Sequence, residues 1–259
     1  ASRGARNYAG DVMLQAMVKA LAEMYPHIPV CMHQDHGNNE ATCMTAIQYG
    51  FTSVMMDGSL EADAKTPASY EYNLDITRRV TEMAHHDGVS VEGELGVLGS
   101  LETGEGEQAV SYTHLTLPMH VIEEINRRLP NIHLVMHGSS SVPQELQDIF
   151  NAYGGEMPQT WGVPLAEIER GIKHGVRKVN IDTDCRLAML GVIRKVATQN
   201  KSEFDPRKFL KPAMDAMAEL CADRLERFGS AGNAARIKPL SLAAMSQRYQ
   251  TNSLDPVIG

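Results

Sequence analysis

Five short strand-like runs in this chain each break off into side chains that can bind metals or anions. Val30-Cys31-Met32 leads into His33-Gln34-Asp35-His36-Gly37-Asn38, Ser53-Val54-Met55-Met56 into Asp57-Gly58-Ser59, and Ser90-Val91 into Glu92-Gly93-Glu94. Leu134-Val135-Met136 leads into His137-Gly138-Ser139-Ser140, and Lys178-Val179 into Asn180-Ile181-Asp182-Thr183-Asp184. Runs this short read as strands, and segments of helical period separate them. Val12, Met13, Ala16, Met17, Ala20, Leu21 and Met24 predict a helix. Residues 41–49, closed by Gly50, predict a second, and 69–86 a third. A helix over 121–129 stops before Pro130, Pro143 and Pro164 each open another, and 186–198 is helical. Residues 206–228 hold one or two more, with Pro212 a candidate break. Strands alternating with helices predict an α/β fold with a parallel sheet covered on both faces. In a β/α barrel the carboxyl ends of the strands carry the active site, so five reactive strand ends point to one site.

Composition narrows the class. Of 259 residues 43% are hydrophobic and 22% charged, enough apolar content to offset the entropy of ordering a chain this long. Lys and Arg number 24 against 32 Asp and Glu, giving a net charge of −8, which argues against a general nucleic-acid surface. The longest apolar stretch, near 187–193, falls far short of the ~18–20 residues of a membrane helix. Residues 1–10 lack the apolar segment of a signal peptide. Cys31, Cys43, Cys185 and Cys221 show no CxxC spacing, so a reduced, cytoplasmic protein is expected. One domain is expected over residues 1–259, with 103–118 unpatterned and 230–259, rich in small polar residues, an extended arm.

Among ten histidines, any one is more often an ordinary surface or core residue than a ligand. His36 and His137 stand out because both follow strands and share that position with Asp35, Asp57, Glu92 and Glu94. Imidazole with carboxylate suits Zn²⁺, with Co²⁺ or Mn²⁺ able to substitute. Alternation along an extended segment sends His33 and His36 to opposite sides. Gly138-Ser139-Ser140 and the segment Asn180, Ile181, Asp182, Thr183 offer amides and hydroxyls just before helices, an anion cradle. Alone a GSSS string is an ordinary loop; beside a metal site it gains weight.

The segments HQDHGNNEATCMTAIQYGFTSVMMDGSLEADAKTPASYEYN, VSVEGELGVLGSLETG, HLVMHGSSSVP and GVRKVNIDTDCRLAM closely resemble class II, metal-dependent fructose-1,6-bisphosphate aldolases, and most closely the Calvin-cycle subtype of autotrophic bacteria. The resemblance covers nearly the whole chain except 105–118. It implies a (β/α)8 barrel, assembled as a homodimer or larger homo-oligomer. It also implies the reversible cleavage of fructose 1,6-bisphosphate into dihydroxyacetone phosphate and glyceraldehyde 3-phosphate. By the match, His36 and His137 are catalytic zinc ligands, and Asp57 and Glu94 ligands of a second metal position. Asp35 matches the proton donor at the aldehyde oxygen, and Glu102 falls in register with an acid/base carboxylate. Gly138, Ser139, Ser140, Asn180, Ile181, Asp182 and Thr183 match the dihydroxyacetone phosphate site, and Ser2 a contact to glyceraldehyde 3-phosphate. No lysine at a strand end suggests Schiff-base chemistry; Lys178 precedes the polar tip of its strand.

Two departures from the family pattern carry weight. The family pattern has a helix and a strand ahead of the segment matching Ala1, and a strand bearing the third zinc-ligand histidine between the positions of Glu102 and Met119; both are expected to be missing here, which would leave the barrel incomplete. His114 lies in that interval without the family's surrounding pattern, and VSYTHLTLP there resembles translated sequencing adapter, which would make the junction an assembly scar. A tagatose-bisphosphate aldolase and a non-catalytic remnant that binds metal or phosphate are the alternative readings. A metal-dependent barrel hydrolase would show HxH at an early strand, which His33-Gln34-Asp35-His36 is not.

Overall fold

The computed structural model describes residues 1–95 and 119–254. These fall into two compact units, one within Ala1–Ala109 and Gly232–Gly259, the other within Val110–Ala231. The first opens with α1 (Arg3–Ala9) and α2 (Asp11–Met24), then runs β1 (His33–Gly37), α3 (Glu40–Gln48), β2 (Ser53–Met56), α4 (Tyr70–His86) and β3 (Ser90–Gly93). The second holds α5 (Met119–Arg128), β4 (Leu134–Met136), α6 (Gln144–Ala152), α7 (Leu165–Lys173), β5 (Val176–Val179), α8 (Thr183–Gln199) and α9 (Pro206–Arg227). The chain then returns to the first unit with α10 (Leu242–Thr251).

Four of the five expected strands have counterparts among the described residues, and every pairing between named strands is parallel. In the first unit the order is β1-β2-β3, with His33 beside Ser53 and Ser53 beside Ser90. In the second, β4 pairs with β5, Met136 beside Val179. Parallel pairing aligns carboxyl ends within each sheet, which gathers the polar strand tips. Helix starts follow side-chain chemistry: Asn39 accepts from the Thr42 amide ahead of α3, and Ser69 from the Tyr72 amide ahead of α4. The core of the first unit is Phe51, Val54, Met56, Ile76, Val80, Ala84 and Val89 with Cys43 and Ala46. Met136, Val163, Ile168 and Val176 form that of the second. Each such aliphatic side chain contributes roughly 1.5–3 kcal/mol by leaving water.

Several expectations are corrected. The first strand is not Val30–Met32 but the polar segment His33–Gly37 itself, because its backbone pairs with β2 whatever its side chains. Helix α1 lies where no helix was expected; seven residues are too short to show a period. Helix α9 runs through Pro212 unbroken. The segment expected as an extended arm contains α10, capped by the Ser241 side chain at the Ala244 amide. It docks on α4, where Tyr249 stacks on His85 with ring centroids 3.7 Å apart and its hydroxyl meets Ser90 Oγ at 3.0 Å. Helix α2 packs Leu14 and Val18 against the core, while Val12, Met13, Met17, Leu21 and Met24 remain exposed.

Candidate functional site

Three adjacent strand ends of the first unit deliver His36, Asp57 and Glu94. Asp57 and Glu94 follow β2 and β3 by one residue, as parallel register dictates. His36 sits inside β1, where the pairing slips between Gln34 and Gly37. Its φ of +47° is left-handed, unusual for a residue with a side chain. A bulge of this kind re-aims a side chain. The next residue has to be glycine, since a Cβ on Gly37 would sit 2.7 Å from the Met55 carbonyl oxygen. His33 is not gathered with His36, Asp57 and Glu94. His33 stays on the regular strand, its Nε2 3.6 Å from Glu92 and 3.9 Å from Asp35, and its Nδ1 2.9 Å from Ser53 Oγ.

The His36 ring donates from Nδ1 to Asp57 Oδ2 at 2.8 Å. That hydrogen bond holds the imidazole pKa above its ordinary value against the opposing effect of burial, and the charges of Asp35, Asp57 and Glu94 add to the rise. For Asp57, burial acts to raise the carboxyl pKa, but hydrogen bonds from His36 and from Ser59 hold it below the usual range. Ser59 contributes both its hydroxyl and its amide, at 2.5 and 3.2 Å. Glu94 is buried, its Oε1 accepting the Leu95 amide at 3.0 Å. His36, Asp57 and Glu94 each offer one ligand atom, and these lie within 4.8 Å of one another. One imidazole and two carboxylates, partly dehydrated, fit a divalent cation of the zinc, cobalt or manganese kind.

Asp35 pairs its backbone with the start of the chain. Its amide donates to the Ala1 carbonyl at 3.0 Å, in a bridge that also engages Ser2. Ser2 caps α1, its hydroxyl oxygen accepting the Ala5 amide at 3.2 Å.

In the second unit, His137 follows β4 and begins the loop to α6. Gly138 has φ +60° and open space where a Cβ would stand. Ser140 Oγ accepts the amides of Asp182 and Thr183, at 3.2 and 3.1 Å, where α8 begins. Ser139 is fully buried and its hydroxyl turns back to the His137 carbonyl, so its side chain braces the loop. Asn180 donates its amide to the Met136 carbonyl, and Ile181 and Asp182 complete the turn into α8. Sequence reasoning missed what holds this loop. Asp184, fully buried, accepts from the Ser141 amide and hydroxyl and the Val142 amide, and Arg224 of α9 reaches both Asp184 and Ser141. Asp184 was visible as the last acid of IDTD; no local signal marks Arg224. Glu102 and His114 lie outside the described residues.

The family model described as "Fructose-bisphosphate aldolase class-II" matches residues 1–117 and 112–233. Fructose-bisphosphate aldolase 2 of Cereibacter sphaeroides is 59% identical over 303 aligned positions, covering 99% of this chain and 86% of its own. Those 303 positions exceed the chain's 259 residues by 44, so at least that many residues of the relative have no counterpart within the aligned span. A fructose-bisphosphate aldolase of Nostoc commune is 50% identical, covering 99% of this chain and 85% of its own. Among solved structures, a putative fructose-1,6-bisphosphate aldolase from Coccidioides immitis superposes with a TM-score of 0.62 at 21% identity, over 91% of this chain and 81% of its own. The YdjI aldolase of Escherichia coli K12 gives 0.58 at 21% identity, over 90% and 81%.

Proposed function

The chain belongs to the class-II fructose-bisphosphate aldolase family, and from that premise we propose how its residues perform the reversible cleavage of fructose 1,6-bisphosphate. The fold class is α/β, that of the (β/α)8 barrel, which the solved aldolases share with it. The observation that carries the reading is the convergence of His36, Asp57 and Glu94 at three neighbouring strand ends. By family likeness His36 and His137 would hold the catalytic divalent cation, Zn²⁺ by preference, while Asp57 and Glu94, gathered beside His36, would serve a second metal position. When bound, such an ion supplies a Lewis acid that stabilises negative charge on carbonyl and enolate oxygens.

The remaining work falls to the chain. Asp35 moves a proton at the aldehyde oxygen as the carbon–carbon bond breaks or forms, and Glu102 is, by family likeness, a second acid/base carboxylate. By family likeness Gly138, Ser140 and the segment Asn180 to Thr183 hold the phosphate of dihydroxyacetone phosphate; the Ser140 oxygen takes the Asp182 and Thr183 amides, so its hydroxyl proton is the one turned to the anion at the start of α8. Ser2, its oxygen already fixed by the Ala5 amide, turns its hydroxyl proton to glyceraldehyde 3-phosphate.

Between Glu102 and Met119 we place the missing strand, since the two family matches meet at 112–117 and the relative's surplus residues must fall inside the aligned span. The homo-oligomer remains part of the same reading; sedimentation velocity tests it. No described helix is long and apolar enough to cross a membrane.

The test of the mechanism is Asp35→Ala in a version with the missing segment restored. Cleavage should fall by about 10²–10⁴-fold, while exchange of a dihydroxyacetone phosphate proton with solvent persists. Undiminished cleavage would pass the role to Glu102. Assays on fructose and tagatose bisphosphates side by side decide the substrate.

A further inference from the structure

The geometry points to Gln34 as the positioning residue of this site: steered by Arg6, it fixes the peptide that sets the left-handed conformation of His36. The inference rests on the reading of His36 as a metal ligand.

Gln34 lies on β1 between His33 and Asp35, and it is fully buried. Its Oε1 accepts from Arg6 Nη1 at 2.6 Å, and its Nε2 donates to the Asp35 carbonyl at 2.8 Å. That carbonyl belongs to the peptide joining Asp35 to His36, and the φ of His36 is the rotation about the bond leaving that peptide. The His36 amide on the other edge of the same plane points to Met55 Sδ, 3.4 Å away. The plane is thus held at both edges, and the firm hold is the one from Gln34. With φ at +47° and the peptide pinned, the imidazole is carried to Asp57 Oδ2.

The direction of the Gln34 amide is itself dictated. Arg6 has donors and no acceptor, so it can meet only the oxygen end, which leaves the nitrogen end for Asp35. Arg6 cannot turn away. Its Nε and Nη2 pair with Asp11 at 2.5 and 3.0 Å, Nη1 also reaches the Thr42 carbonyl, and Nη2 the Thr45 hydroxyl. Its guanidinium lies 5.3 Å from the centre of the Phe51 ring. Residues of α1, α3 and the core therefore converge on one amide, and through it on one histidine.

The test compares the full chain with Gln34→Glu, Gln34→Met and Thr45→Ala. Glutamate keeps the acceptor for Arg6 but has no donor for the Asp35 carbonyl. Methionine is uncharged and of similar volume, and decides the matter if a buried carboxylate prevents folding. Thr45→Ala removes an Arg6 contact and leaves the Gln34 link, so it reports general loosening. Circular dichroism checks each fold. Titration with Co²⁺, followed by its visible absorption, should show affinity weaker by roughly 10–100-fold and an altered band in the Gln34 variants. Thr45→Ala should stay within about twofold of the parent, since its link to the site is intact. Unchanged affinity in the Gln34 variants overturns the proposal, as does an equal loss in Thr45→Ala. If neither the unaltered chain nor a version with the missing segment restored takes up Co²⁺, the metal reading fails, and the metal-free protein decides the positioning role. The downfield proton of His36 Nδ1–H should then be seen by NMR in the unaltered chain and Thr45→Ala and be lost in Gln34→Met; its survival there overturns the proposal.

Discussion

At the scale of single residues, the His36–Asp57 pair makes a pH dependence that can be signed. The folded chain raises the His36 pKa, so its contribution is complete below the ordinary imidazole value near ~6.5 and fades as pH rises through the raised value. It lowers that of Asp57, whose contribution is complete above the ordinary carboxylate value near ~3.9 and fades as pH falls through the lowered value. The metal-free protein should therefore gain most from the pair between about pH 4 and 6.5. His36 is 37% exposed, so solvent screening limits the gain to about 1 kcal/mol. Urea unfolding of the metal-free chain and of Asp57→Asn across pH 3–9 measures it. A stability difference flat in pH would remove the ion pair as its source. The ligand types and their strand-end placement were legible from sequence. The pairing of His36 with Asp57 was not, because it depends on a bulge that no local pattern announces.

At the scale of elements, the loop from β4 to α6 depends on Asp184. Val142 holds φ +46°, a strained conformation for a β-branched residue, and its amide is fastened to Asp184 at 2.8 Å. Removing that carboxylate strands three donors and leaves the buried Arg224 with only Asp223 and Ser141. Asp184→Ala should destabilise the protein by about 3–5 kcal/mol, read by chemical unfolding. It should also weaken inorganic phosphate binding at the α8 N-terminus, read by calorimetry. A second element-scale expectation concerns α10. Gly88 has φ +76°, and a Cβ there would stand 1.9 Å from the Leu242 carbonyl oxygen. Gly88→Ala should release α10 from α4, raising amide exchange over 242–251 while α3 keeps its protection. Equal exchange in both proteins would show that α10 does not depend on this approach. Leu242, Met245 and Tyr249 do stand at helical spacing, so α10 was readable; the surrounding serines, alanines and glutamines hid it.

At the scale of the whole molecule, alternation of strands and helices was readable most directly where a strand is an apolar run, as Val54-Met55-Met56 and Leu134-Val135-Met136 show. The strand built from His33 to Gly37 was misplaced for the opposite reason: its side chains serve the site, and only its backbone serves the sheet. A chain at least 44 residues shorter than its relative across the same span should bind zinc more weakly and turn over fructose 1,6-bisphosphate more slowly than a version with that segment restored. Zinc per chain by atomic emission and a coupled cleavage assay on both proteins make the comparison. Equal turnover would mean that the third ligand comes from elsewhere, His114 or another subunit. The exposed apolar stripe of α2 should favour association, so light scattering is expected to rise with concentration.

The left-handed His36 also has a consequence for laboratory evolution. Glycine tolerates that backbone better than histidine does, by about 1 kcal/mol. That relief is about what the pairing with Asp57 contributes, so a library sorted for heat resistance alone would not hold the histidine in place against His36→Gly. Only a selection that requires growth on the reaction product would keep the histidine.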